Sequence, residues 1–579
     1  TGFTRADDPT VMLRNPALLA DLWDDQAMIH SHLLLQDSCF NPIGVNAWRT
    51  EPNSVIDLGD GPILLQSRDE TNEAGEVTAV TTDADTGERV PAYGEERFDE
   101  VCYQGPNTFL PSVALAVKLA HDLGVGLGFF PPDTMALAQF GNADGTVDTP
   151  RGKRPAHTRF FTAGSNRVTT YFSLMGGIGW RPVSWLRLGA AFQWQLVAFN
   201  TRAWGRSGRS LNPATDVRTD AFGRDLFIPG FIGSLHLVPF DALDLAVGFK
   251  WSERIQTNAK LDLVSGPWGL DRPFRYQVGD GPVQTFDLTP TPYTSHNQPG
   301  VISAPPIWSP QLSVGLRFAD RLKPRPTDWA KAHEAADGVV EDHMATERWD
   351  IEVNGVYYFN SVRDFTDFEQ VGSEVSLGSI QPDGSPSQAL FPFGRCTQYI
   401  DPNAVPPMCV PGARFRNRRV LGGQDQYSVR VGADYNLFPG LFALRAGVSY
   451  ETDGIDPEFF DPTLPDQERI GAHAGFTIRV AEKTDISFAY ALFLLRDIDL
   501  GFNEEDGQRL PGWARTAEYG FVADPNDPAM GPRPGADGIA RYEVSYESES
   551  RPEPGPFFAN AGTGYYNLSI LSASVTQHF

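Results

Sequence analysis

The chain has 579 residues, a net charge of −26 and 12% aromatic residues. Its mean hydropathy is −0.28, and no apolar run reaches the ~18 or more residues of a membrane helix, so a helical membrane protein is excluded. The acidic balance excludes a nucleic-acid partner, because neutralising phosphates takes clustered Lys and Arg. The Asp and Glu residues gather instead in stretches such as 69–100 and 451–468, as water-facing loops do.

No signal peptide stands at Thr1, as expected of a processed chain. The first segment reads Asp7-Asp8-Pro9-Thr10-Val11-Met12-Leu13-Arg14-Asn15-Pro16-Ala17-Leu18-Leu19-Ala20 and precedes any alternating run. Period-2 segments then predict strands near 28–40, 111–119, 123–130, 168–180, 185–198, 228–238 and 243–263. Further ones are predicted near 311–318, 349–359, 424–437, 441–450, 470–480, 484–495 and 565–579. In 185–198, Leu186, Leu188, Ala190, Phe192, Trp194 and Leu196 share one face, while Arg187, Gly189, Ala191, Gln193 and Gln195 share the other. The first face suits lipid and the second a lumen, the pattern of a transmembrane barrel, whose mean hydropathy looks soluble. The segments number about fourteen, an even count as a bacterial single-chain barrel needs. Short connections at 121–124, 181–184, 239–242, 438–440 and 481–483 fall on one side by parity, the expected periplasmic side, with the long loops outside. One long exception on that side, 319–347, predicts a helix with Trp329, Ala336 and Val340 on one face and Thr327 as its cap. The last segment alternates Leu571, Ala573 and Val575 with Ser572, Ser574, Thr576 and His578 and stops on Phe579, the ending expected of a closing strand read by the outer-membrane assembly machinery.

The 7–20 pattern resembles the hatch of the FadL family of outer-membrane long-chain fatty-acid and hydrocarbon transporters. The segment Tyr427-Ser428-Val429-Arg430-Val431-Gly432-Ala433-Asp434-Tyr435, followed by Leu444-Arg445-Ala446-Gly447-Val448-Ser449-Tyr450, is similar to that family's late strand pair. The resemblance implies an all-β, fourteen-stranded antiparallel barrel (27–579) whose lumen is plugged by an N-terminal hatch (1–26). It implies passive transport of hydrophobic small molecules, with lateral release through a gap at a kink in the third strand. There the sequence offers Gly126, Gly128, Phe129, Phe130, Pro131 and Pro132; glycine packs poorly within a strand and proline removes a ladder donor. Asn15, Pro16 and Ala17 are the expected hatch contact beside that gap, the asparagine amide serving backbone groups the interrupted strand leaves open.

Lumen-facing bases by parity are Lys118, Arg187, Lys250, Arg254, Arg317, Arg430, Arg445 and Arg479, beside Asp244, Asp350, Glu352 and Asp434. They read as a charge network bracing the hatch. Lys250 and Arg430, nearer mid-strand, are the candidates for meeting a cargo carboxylate, whose apolar tail would gain about 0.8 kcal/mol per buried methylene. The four cysteines fit no metal or redox motif and predict bridges Cys39–Cys102 and Cys396–Cys409 in an exported chain. No Gly-x-Ser-x-Gly, His-Glu-x-x-His or phosphate loop occurs, so no enzyme, cofactor or metal is expected; Asn142, Asp144 and Asp148 have calcium-loop spacing in a short acidic turn. The expected partners are a hydrophobic small molecule, outer-membrane lipid and lipopolysaccharide, and a periplasmic or outer-membrane protein at the helix. The alternative function is a structural barrel that scaffolds an outer-membrane complex through its loops and that helix.

Overall fold

The computed structural model describes residues 2–44, 100–131, 165–206, 216–265, 294–325, 342–370, 414–456, 466–500 and 562–579 continuously, with short strand segments between them. Fourteen antiparallel strands close into a barrel. They are β1 (Gln26–Gly44), β2 (Thr108–Ala120), β3 (Leu123–Phe130), β4 (Ser165–Val183), β5 (Leu186–Arg206), β6 (Asp216–Phe240) and β7 (Leu243–Ser252). β8 (Gln311–Arg321), β9 (Glu347–Tyr358), β10 (Gln426–Phe438), β11 (Phe442–Glu451), β12 (Arg469–Ala481), β13 (Thr484–Leu495) and β14 (Gly562–His578) complete it. Each strand pairs with the next, and β14 closes the ring by pairing with β13 from Thr484↔Gln577 and with β1 from Gln26↔His578.

Alternation puts apolar side chains outward. Phe192, Trp194, Phe231, Phe249, Val314 and Leu571 are exposed, whereas Arg187, Gln193, Gln195, Lys250 and Arg317 are buried on the inner face. The exposed apolar belt is what a transmembrane barrel turns to lipid. The five short connections lie on one end, and at Pro439–Leu441 the turn uses Gly440 at φ 79°, where a side chain would be strained.

Three expectations about the elements are corrected. The predicted strand over 243–263 breaks at Glu253, whose N–H donates to the Pro229 carbonyl; β7 ends at Ser252 and a second strand, Arg254–Ser265, begins. β6 is long enough to pair with both, β7 with its lower part and Arg254–Ser265 with Val217–Gly223. β4, β5 and β6 also outrun their predicted limits, because apolar alternation stops where lipid stops, yet backbone donors and acceptors still need partners. Within 319–347, Ala319 and Arg321 continue β8 by pairing with Asp350 and Glu347. The described part of the span beyond them holds one helical turn, His343–Thr346, capped by the Asp342 carboxylate accepting from Met344 N at 3.1 Å. Trp329, Ala336 and Val340 lie outside the described residues, as do Asn142, Asp144 and Cys396.

The Cys39–Cys102 disulfide is present and joins positions that face each other across a ladder. It closes a sequence separation of 63 residues, worth about 4 kcal/mol in the chain-entropy account.

Candidate functional site

Residues 2–25 are packed against inner-face side chains of strands around the barrel. Asp8 caps the first 3-10 turn, Pro9–Leu13, by accepting from Thr10 N at 2.8 Å, and proline opens both that turn and the second, Pro16–Ala20. Val11, Met12, Leu18, Leu19 and Leu22 are almost fully buried. Their seat is a shelf of inward glycines on three adjacent strands. A Cβ on Gly179 would stand 2.6 Å from Pro16 O, one on Gly126 2.9 Å from Met12 Cε, and those on Gly124 and Gly189 would collide with the backbone of Leu19 and Ala17. Sequence reasoning took Gly126 and Gly128 as weak points of the wall. Both instead keep ladder partners on each side, Ala116 and Gly177 for Gly126, Ala114 and Met175 for Gly128. The signal that could have revealed the shelf is the recurrence of glycine at inward positions of β3, β4 and β5.

Asn15, Pro16 and Ala17 are found at β4–β6 and not at the end of β3. Ala17 N donates to Ser234 Oγ at 2.9 Å, and Asn15 Nδ2 donates to Phe3 O at 2.7 Å, so the amide ties the segment to itself and does not serve a broken strand. β3 is met by Met12 and Leu19.

Charged groups hold the segment on both sides of the barrel. Arg5 bonds Asp350 and Asp7, each at 2.7 Å, and also Asp434. Arg317, fully buried, bonds Asp244 at 2.9 Å, Asp350 at 3.0 Å and Glu347. Arg325, at the foot of the 319–347 insertion, reaches Asp244 at 2.8 Å, and Arg479 bonds Asp342 at the other foot at 2.5 Å. Asp21 receives Arg181 at 2.9 Å and Arg187 at 2.7 Å. Burial pushes the Asp21 carboxyl up, but attraction to Arg187 and Arg181 outweighs it and holds the group well below the usual carboxylate range. Lys118 Nζ donates to Ala20 O at 2.7 Å, at the end of the second turn. Of the bases read from the sequence as a brace, Lys118 and Arg187 bond Ala20 and Asp21 of the N-terminal segment, Arg445 bonds Asp7 and Arg317 shares Asp350 with Arg5, whereas Arg254 bonds Asp364.

The two carboxylate candidates sit in different surroundings. Arg430 bonds Glu451 at 2.8 Å and donates to Tyr358 Oη at 2.9 Å, so a protein carboxylate already occupies it. Lys250 is buried on β7 with Nζ 3.2 Å from the centroid of the Trp308 ring, two residues from the buried Ser252, whose hydroxyl donates to Gln195 Oε1 at 3.1 Å.

An apolar lining completes the site. Met28 on β1, Ala114 and Ala116 on β2, Phe130 on β3, Met175 on β4, Ala191 on β5 and Ile232 on β6 form one buried cluster with Met12, Leu18, Leu19 and Leu22. At its edge the wall changes. β3 pairs with β2 through Phe129↔Val113 and with β4 through Phe130↔Ser173, and there its ladders stop. β4 next gains a partner on that side at Val168, from the strand Leu137–Phe140. Among the described residues, Thr169 to Phe172 of β4 and Thr108 to Ser112 of β2 have no ladder partner on their facing sides. The bridge Tyr103↔Phe140 lies beyond. Pro131 follows Phe130, and Pro132 lies outside the described residues. The interruption, here called the window, is four residues of β4 long, ~13 Å along the strand, and the connection 132–136 beside it lies outside the described residues.

A family model described as outer membrane protein transport protein (OMPP1/FadL/TodX) matches residues 420–523. The fold is similar to that of a Pseudomonas aeruginosa FadL homologue, with TM-score 0.53 and 13% identity over 100% of this chain and 97% of that one. The toluene transporter TodX of Pseudomonas putida aligns over 100% of this chain and 97% of its own at 11% identity and TM-score 0.49. No curated protein sequence matches the chain. The family model thus falls on the late strands of a barrel whose fold is similar to that of the FadL homologue.

Proposed function

We propose that the protein passes hydrophobic small molecules across the outer membrane, with residues 2–25 as the hatch and the window above Phe130 as a sideways exit into lipid. The observation that carries this reading is the adjacency of the two features: the buried apolar cluster of β1–β6 ends where the ladders of β3 end. The route along the axis is unfavourable for such cargo, since it would have to cross the ion pairs of Arg5, Arg317 and Arg325, where an apolar group displaces charged partners without replacing them. A lateral path keeps cargo in apolar surroundings throughout, at a gain of about 25 cal/mol per Å² of apolar surface kept from water. The family resemblance and the aromatic transporter among the similar folds agree with a hydrocarbon or fatty-acid cargo. Lys250, buried on the inner face beside Trp308, is the base proposed to meet a carboxylate head.

The test is uptake of a labelled fatty acid and of a labelled aromatic hydrocarbon by cells carrying the protein. A Leu110→Cys, Tyr171→Cys variant, joined across the window by a reducible cross-linker of about 10 Å, should lose uptake of both and regain it on reduction. Equal uptake before and after cross-linking would reject lateral release.

A further inference from the structure

Phe130 occupies the boundary between the apolar cluster and the window, and several features of its surroundings single it out. It is the last residue of β3, and its ring turns inward, 2% exposed, among Met12, Leu19 and Met175. The ring lies over Gly128, two residues back on the same face; a Cβ there would collide with ring atoms, so the glycine provides the ring's resting place. On the β2 side the ladder ends one residue earlier, leaving Phe130 paired to Ser173 of β4 alone. Phe129 points the other way, to lipid, and its ring stacks on Phe172 with centroids 5.1 Å apart. The backbone is therefore fixed, and the Phe130 ring, held on its other sides by the cluster, rests along its own strand on Gly128, which offers no side chain to lock it.

We infer that Phe130 is the inner door of the window and that its ring sets the cross-section of what leaves. With the ring on Gly128 the cluster is closed toward the window; with the ring rotated away, the two are continuous. This inference rests on the transport reading above and adds to it a residue that determines size. A straight alkyl chain needs a small displacement of the ring, whereas a branched or fused-ring hydrocarbon needs the full one.

Two readouts separate the door from the transport reading. The first requires no transport: Ser173→Cys, buried beside Phe130, is labelled in intact outer membranes with N-phenylmaleimide, corrected for the same chain without the added cysteine. Phe130→Ala should raise the labelling rate about tenfold or more, as removing ~1.4 kcal/mol of opening cost would. Gly128→Ala, which evicts the ring from its seat without deleting it, should raise it too. The second readout is the ratio of fused-ring to straight-chain uptake, which should rise several-fold in Phe130→Ala and fall in Phe130→Trp. Faster labelling with no uptake by any form would keep the door and overturn the transport reading. Uptake by the parent, with labelling and ratio both unchanged in a heat-modifiable, folded Phe130→Ala barrel, would overturn the door and leave transport standing.

Discussion

Asp21 shows how one carboxylate in the N-terminal segment fixes two arginines of the wall. Arg187 is wholly buried and Arg181 nearly so, and both turn toward this group. Asp21→Asn would leave two buried cations short of a counter-charge, which costs about 3 kcal/mol when a buried pair is broken. Because the folded-state pKa is depressed, the contribution of Asp21 is fully present above its unfolded value near ~4 and is lost as pH falls further. Urea stability of the parent minus that of Asp21→Asn should therefore be constant from about pH 7 to 5 and shrink below about pH 4. A difference that is already small at neutral pH would show that the pair contributes nothing to docking. Arg430 illustrates what single residues leave unread. Parity places it correctly on the inner face, but the carboxylate that claims it, Glu451, sits on the neighbouring strand, and pairing register is invisible in a list of alternating segments.

At the scale of elements, the barrel strands were legible because lipid on one side and protein on the other force a two-residue period through every crossing. Their ends were not: β6 continues past the apolar alternation, and the split at Glu253 follows from a hydrogen bond to Pro229 that no local pattern announces. The glycine shelf was misread for a related reason. Glycine in a strand marks either a weak point or a close approach, and only the position of the N-terminal segment decides between them. The shelf carries a prediction. Gly189→Val places a branched side chain where the Ala17 backbone lies and should expel the segment while the barrel, whose ladders at 189 run to Gly179 and Ser234, still forms. Trypsin cleavage at Arg14, measured against heat-modifiability of the barrel on a gel, should become fast in Gly189→Val. It should stay slow in Gly233→Val, where a Cβ meets nothing within 4 Å.

Taken whole, the molecule divides its interior by chemistry. One wall, β1 to β6, carries the apolar cluster and the glycines, with Lys118, Arg181 and Arg187 holding the N-terminal segment at its end, and the other, from β7 onward, carries the ionic network that links the insertion's feet to that segment: Arg325 to Asp244, Asp244 to Arg317, Arg317 to Asp350, Asp350 to Arg5. Composition alone hinted at neither half. A net charge of −26 suggested acidic loops, and the arginines that matter are few enough to vanish in the total.

That interlocked network has an electrical consequence. A fourteen-stranded ring is wide enough to hold water, so a barrel of this size left open would pass small ions readily. Here the mobile ions would have to displace guanidinium groups already neutralised by carboxylates, so the barrel is expected to insulate despite its charge. In planar lipid bilayers the parent should insert without measurable current under an applied voltage. Arg5→Ala combined with Arg317→Ala, which removes the cations holding Asp350, should give cation-selective current through the carboxylates left behind. Steady ohmic current from the parent would mean that the ionic lattice does not close the bore.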